Sequence, residues 1–114
     1  EMKTASIFKD IVFKEKGPAV SVLFETEFTK EIRIAMKAGQ EMKEHKTSFP
    51  IVVQLVEGKI DFTVSGEVLN LAKGDLIALD GGVPHSLDAL EESIVRLTLT
   101  KADQVDRVKQ VLDS

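Results

Sequence analysis

Most of this sequence consists of short runs in which every second residue is apolar. That alternation is the period of a β-strand with one buried face. The clearest runs are residues 20–25, 31–36, 59–64 and 94–99. Residues 51–56 are apolar apart from Gln54, which is typical of a strand buried on both faces. Eight or more such segments, with turn signals every six to ten residues, predict an antiparallel sandwich or barrel.

Two other segments do not follow the strand pattern. At the end of the chain, Val105, Val108 and Leu112 have the i, i+3, i+7 spacing of an amphipathic helix, predicted over about residues 103–112. Residues 40–50 are polar, and we expect a solvated loop there. No linker or low-complexity stretch interrupts the chain, so residues 1–114 are predicted to form a single domain. Its barrel core would span about residues 19–100.

Composition disfavours several classes of function. A net charge of −4 does not favour nucleic acid or an anionic membrane as a partner. The absence of cysteine excludes disulfides, thiolate metal sites and cysteine nucleophiles. No apolar run approaches the length of a membrane span, and no signal-peptide pattern follows Glu1. The sequence therefore predicts a cytoplasmic protein that binds neither nucleic acid nor membrane.

Only two histidines occur, His45 and His85. His85 ends a segment with four parts: a turn at 73–75, an apolar run at 76–79, a glycine turn at 80–82, and Pro84-His85. A strand followed by a tight turn is a means of directing one imidazole from a rigid sheet into a cavity. Without a second motif, His45 would be interpreted as a surface histidine and His85 as a turn residue locked by packing.

The spacing around both histidines resembles the paired motifs of the cupin superfamily of small β-barrels. In the first motif, Gly39 is followed by five residues and His45, and Gly58 closes the motif. Thr47 stands where the family has a second histidine, and Ile51 stands where it has a glutamate.

The second cupin motif is also partly preserved. Gly74, Gly82 and His85 match its spacing, whereas Asp80 replaces a proline and Ala89 replaces an asparagine. The resemblance covers roughly residues 30–100. It implies an all-β fold, the cupin double-stranded β-helix or jelly-roll barrel. Two of the four metal ligands of the family are missing.

The resemblance implies a divalent metal site, with Zn, Mn, Fe or Ni as candidate ions and His45 and His85 as ligands, because neutral imidazole suits these metals. Candidate pocket-lining residues are Thr47, Ile51 and Gln54, and for Gln54 a satisfied buried amide is the simpler interpretation. Gln40 and Glu44 neighbour His45 in sequence and are further candidates for a missing ligand. We expect Ile51, Val53, Leu55 and Leu97 to line the barrel interior.

Three functions remain open at this point. The favoured one is a small-molecule-binding cupin, with or without a metal. The second is a metal-dependent enzyme of the dioxygenase or isomerase type, acting on a small polar substrate, with catalytic residues unknown. The third is a dimeric sensor or scaffold, in which an edge strand before Gly17-Pro18 and the C-terminal helix form the interface. A homodimer is expected in any of the three.

Overall fold

The structure, a computed structural model, describes residues 1–101. Within this range the chain forms nine β-strands, and the helix predicted over about 103–112 lies outside the described residues. The strands are β1 (Ala19–Glu25), β2 (Thr29–Met36), β3 (Glu41–His45), β4 (Ile51–Glu57), β5 (Lys59–Val64), β6 (Glu67–Ala72), β7 (Leu76–Leu79), β8 (His85–Ala89) and β9 (Ser93–Thr100). No helix in this part of the chain is long and apolar enough to cross a membrane.

The strands form two antiparallel sheets that pack face to face. One sheet has five strands in the order β1-β2-β9-β4-β7, and the other has four in the order β3-β8-β5-β6. Strands distant in sequence lie side by side, as β2 and β9 do, so the chain crosses repeatedly between the sheets. The alternation pattern predicted an antiparallel sandwich or barrel, and the cupin resemblance implied the jelly-roll form that the two sheets have.

The core fills the space between the sheets because alternate residues of each strand face inward. In β2, for example, Ile32, Ile34 and Met36 are all buried in it. The largest side chains that are almost fully buried there are Phe62, Met36, Ile51, Leu55, Ile60 and Val95. Burial of one such side chain contributes about 1.5–3 kcal/mol, so these few residues account for much of the hydrophobic stabilisation.

Residues before β1 cover the outer face of the five-stranded sheet. Ile7, Ile11 and Phe13 pack there on a second cluster of buried residues, Ala19, Ala35 and Ile94. The guanidinium of Arg33, on the outward face of β2, donates hydrogen bonds to the carbonyl oxygens of Ile7 (3.2 Å), Lys9 (2.9 Å) and Asp10 (3.2 Å). The prediction of an edge strand before Gly17-Pro18 is therefore wrong. Residues 1–18 form no strand and are held on the sheet by their apolar side chains and by the hydrogen bonds from Arg33.

The polar run 40–50 differs from the prediction as well. A solvated loop was predicted here, but residues 41–45 form β3, an edge strand of the four-stranded sheet. All five residues except Met42 are exposed, so the run has no apolar alternation from which a strand could be predicted. Backbone pairing with β8 holds the strand in place and compensates for its weak apolar pattern.

Candidate functional site

The two histidines meet at the end of the four-stranded sheet. His45 is the last residue of β3, His85 is the first residue of β8, and the two are cross-strand partners. Their ring centroids lie 4.4 Å apart, with an angle of 62° between the ring planes. The thirty-nine residues between them are thus folded so that both imidazoles occupy one site, as the resemblance to the paired cupin motifs implied.

A β-bulge turns His45 toward the interior. From Met42 to His45 is a step of three residues on β3, whereas the paired step from Leu87 to His85 on β8 is two. Residues three apart on a regular strand face opposite sides of the sheet. The extra residue in β3 places both Met42 and His45 on the inner face, where His85 and Leu87 also lie.

The two imidazoles differ in exposure. His85 is only 3% exposed, and its ring stacks on Phe62 with a centroid distance of 5.6 Å and an interplanar angle of 7°. His45 is exposed. The pair therefore reaches from the core to the protein surface, and His45 forms the open side of the site.

Hydrogen bonds to the backbone fix which ring nitrogen is available for binding. Nδ1 of His45 lies 2.7 Å from the carbonyl oxygen of Lys43, and Nδ1 of His85 lies 3.0 Å from that of Val83. A carbonyl oxygen only accepts, so in each neutral imidazole Nδ1 carries the proton. Both rings are left with a lone pair on Nε2, the arrangement found in metal-ligating histidines.

A small cavity adjoins the two rings, between the inner faces of both sheets. Its volume is about 20 Å³, enough for a single water-sized occupant. The described residues that line it are Ile34, Met42, His45, Val53, Phe62, His85, Leu87, Val95 and Leu97. Apart from the two imidazoles and the Met42 thioether, every one of these side chains is a hydrocarbon.

Of the four residues expected to line the barrel interior, Val53 and Leu97 border this cavity. Ile51 and Leu55 belong to the core on the same face of β4 but are not among the cavity-lining residues. Gln54 alternates with Val53 and Leu55, so it lies on the outward face of β4, beside Arg96 of β9.

The other polar candidates near His45 lie outside the cavity. Thr47 follows β3 and donates from Oγ1 to the carbonyl oxygen of Phe49 (3.1 Å). The Gln40 amide accepts from the backbone N–H of Lys37 (2.9 Å) and donates to the carbonyl of Lys14 (2.9 Å). Glu44 is exposed. None of the three lines the cavity.

Two residues of the site were not singled out from the sequence, Phe62 and Met42. Phe62 is one of the alternating apolar residues of β5, so its inward position could be predicted from the sequence. Its stacking on His85 could not. Met42 sits in the polar run, where its inward face depends on the bulge, which no residue pattern marks.

The loops that precede β4 and β8 are packed against each other. The backbone N–H of Gly82 donates to the carbonyl oxygen of Thr47 at 2.7 Å. A Cβ atom on Gly81 would lie only 2.4 Å from the carbonyl oxygen of Ser48, so only glycine allows this approach. These contacts couple the segment that follows His45 to the segment that precedes His85.

The described chain brings no third acidic, histidine or cysteine side chain to the site. Within residues 1–101 no group of three or more His, Cys, Asp or Glu side chains could hold a metal ion. Residues 1–101 thus offer two imidazole nitrogens at this site, and water or a bound molecule could supply oxygen ligands for a metal.

Comparison with known proteins agrees with this architecture. Residues 32–100 match the sequence pattern of the cupin domain family. Solved structures with the same fold include an RmlC-like cupin from Desulfovibrio desulfuricans, 22% identical with a TM-score of 0.81 over 88% of this chain and 97% of that one. An RmlC-like cupin from Shewanella frigidimarina is also 22% identical, with a TM-score of 0.76 over 90% of this chain and 92% of the other.

A third similar structure is a conserved Klebsiella pneumoniae protein with a double-stranded β-helix domain. It is 19% identical, and its TM-score is 0.77 over 88% of this chain and 90% of that chain. At these identities the likeness establishes the fold alone. No curated protein was found to match the chain in sequence.

Proposed function

The chain belongs to the cupin domain family, whose barrels serve as small-molecule- and metal-binding domains, and on that premise we propose a binding function. His45 and His85 hold one transition-metal ion through their Nε2 atoms. A small polar molecule then completes the coordination from the side where His45 is exposed. The observation that supports this most directly is the pair of Nδ1–carbonyl contacts, which leaves both Nε2 lone pairs unprotonated.

The donor set fits a metal ion, although incompletely. Two neutral imidazoles on neighbouring strands are good ligands for Zn, Fe or Ni, and backbone carbonyls orient both rings. A bound ion would polarise an oxygen of the completing molecule as a Lewis acid. Two protein ligands hold a divalent ion weakly, so ion and molecule should each strengthen binding of the other.

The cavity limits where the small molecule can sit. A volume of about 20 Å³ admits one water-sized occupant and no organic molecule. The molecule must therefore lie outside the cavity, next to the exposed His45. Small polar compounds with two neighbouring oxygen donors, such as hydroxy acids or keto acids, suit this position because both oxygens can reach one ion.

Binding is favoured over catalysis by the residues around the cavity. A metal-dependent isomerase needs a positioned acid or base to move a proton. Among the described residues that line the cavity there is no carboxylate, lysine or tyrosine. His45 and His85 are the only groups there that could move a proton, and in this proposal both are engaged as ligands.

Equilibrium dialysis against Co(II), Ni(II) and Zn(II), with Co(II) absorption as a second readout, tests the proposal. We expect wild type to bind one ion and His45→Ala to lose it, since the exposed His45 is replaced without disturbing the core. His85→Ala should also lose the ion, with thermal unfolding as a check that it folds. Glu44→Ala, next to His45 but outside the cavity, is the matched control and should bind as wild type does. Unchanged binding by His45→Ala would refute the proposal.

A further inference from the structure

We infer that the cavity selects monovalent copper, Cu(I), with the thioether sulfur of Met42 as a third ligand beside His45 and His85. This inference rests on the two-histidine site proposed above and specifies the ion that the chain holds without a completing molecule. The supporting observations are the position of Met42, the lack of a charged acid, lysine or arginine among the described residues that line the cavity, and the cavity's small size.

Met42 borders the same water-sized space as both imidazole rings. It lies on β3 opposite Leu87, two residues along β8 from His85. The bulge between Met42 and His45 gives the two side chains a common inward face. In the otherwise exposed strand Met42 is the one residue that is partly buried. The three residues of the site that carry soft or borderline donor atoms therefore border a single small void.

The apolar lining of the cavity favours a monovalent ion over a divalent one. The other residues that line the cavity are Ile34, Val53, Phe62, Leu87, Val95 and Leu97, all apolar. A divalent ion would bring two charges into these surroundings without a carboxylate to balance them. The Born cost of burial rises with the square of the charge, so a monovalent ion costs roughly a quarter as much at equal radius.

Ligand chemistry and space favour the same ion. Thioether and imidazole ligands together suit Cu(I), whereas Mn and Mg prefer carboxylate, carbonyl and water oxygens. Cu(I) is satisfied by two or three ligands and needs no coordinated water. A cavity of about 20 Å³ has room for the ion but not for an ion with several waters.

The test compares Cu(I) affinity in wild type, Met42→Leu and Met2→Leu. Protein competes anaerobically, under ascorbate, with a chromophoric Cu(I) chelator, and copper X-ray absorption identifies the scattering atoms. Leucine has nearly the volume of methionine, so Met42→Leu should stay folded. Met2 is 85% exposed and lies outside the cavity, so Met2→Leu controls for loss of a methionine elsewhere.

We expect wild type and Met2→Leu to bind one Cu(I) with a sulfur scatterer at the copper. Loss of a residue that orients a metal ligand typically lowers metal affinity about 10- to 100-fold. Met42→Leu removes a ligand itself, so its Cu(I) affinity should fall by at least that factor. It should retain Co(II) and Zn(II) binding. Equal Cu(I) affinity in Met42→Leu and wild type, or copper with nitrogen scatterers alone, would overturn the inference.

The two proposals fail in different ways. If wild type binds Co(II) or Zn(II) through His45 and His85 but not Cu(I), the copper inference is wrong and the two-histidine site stands. If His45→Ala binds every ion as wild type does, the two-histidine site itself is wrong, and the copper inference is refuted with it.

Discussion

Replacement of Gly81 by alanine should destabilise the protein and weaken the histidine site together. The new Cβ would lie 2.4 Å from the carbonyl oxygen of Ser48, 3.0 Å from its carbonyl carbon and 3.1 Å from Cα of Phe49. An ordinary contact begins at 3.4 Å, so the two loops must separate by about 1 Å. The obstacle is backbone, which cannot rotate away as a side chain can.

The expected magnitude follows from this overlap. Inserting a methyl group into a packed site costs about 1–3 kcal/mol in the free energy of unfolding. For a chain of this length we expect the melting temperature to fall by about 4–12 °C. Ser48 lies three residues after His45, so displacement of the loop also shifts His45 relative to His85. Co(II) affinity should decrease as well.

Gly82→Ala is the matched control. Gly82 has a φ of +82° and nothing within 4 Å of its missing Cβ, so alanine brings backbone strain of about 1 kcal/mol without a clash. Urea unfolding and thermal melting, each with Co(II) titration, compare the variants. A Gly81→Ala protein no less stable than Gly82→Ala, with wild-type Co(II) affinity, would refute the packing of the two loops described above.

Three further substitutions test other parts of the structure. Arg33→Met removes three hydrogen bonds to backbone carbonyls, so limited proteolysis should cut residues 1–18 faster. The free energy of unfolding in urea should fall by about 2–4 kcal/mol. Unchanged cleavage would contradict the role of Arg33 in holding this segment. Phe62→Ala should cost about 3–5 kcal/mol and reduce metal affinity, because the ring is buried and supports His85. Asp88→Asn should stabilise the protein by less than about 1 kcal/mol, since Asp88 is paired in register with the like-charged Asp61; a gain that persists in high salt would contradict this electrostatic origin.

The strands were predictable from local signals, and the meeting of the two histidines was implied by a family resemblance. Apolar alternation placed Ile32, Ile34 and Phe62 on inward faces, and each is buried in the core. The spacing of glycine and histidine in two separate stretches resembles the paired cupin motifs, and that resemblance implied the convergence of His45 and His85, which are paired residues. Both signals are periodic or positional, so they can be read before any tertiary contact is known. The role of His45 and His85 as metal ligands stays a prediction, as does the homodimer.

The remaining parts of the site depend on contacts between distant segments. The inward position of Met42 requires a bulge that is defined only by pairing with β8. Gln54 looked like a cavity residue because it interrupts an apolar strand, yet sheet alternation places it beside Arg96 on the outer face. The outer face is partly covered by residues 1–18, since Ile11 and Phe13 pack on it and Arg33 of β2 binds the backbone of this segment. These contacts join segments that are distant in sequence, so the sequence alone did not show them.

The bulge in β3 allows Met42 and His45 to share the inner face although an odd number of positions separates them. Deletion of one residue at position 43 or 44 would leave a regular two-residue step from Met42 to the histidine, so both side chains would stay on the inner face without a bulge. Every proposed ligand would still be present, and the core strands would be untouched. A one-residue gap at this point in a sequence comparison would therefore not by itself mean that the proposed site is lost.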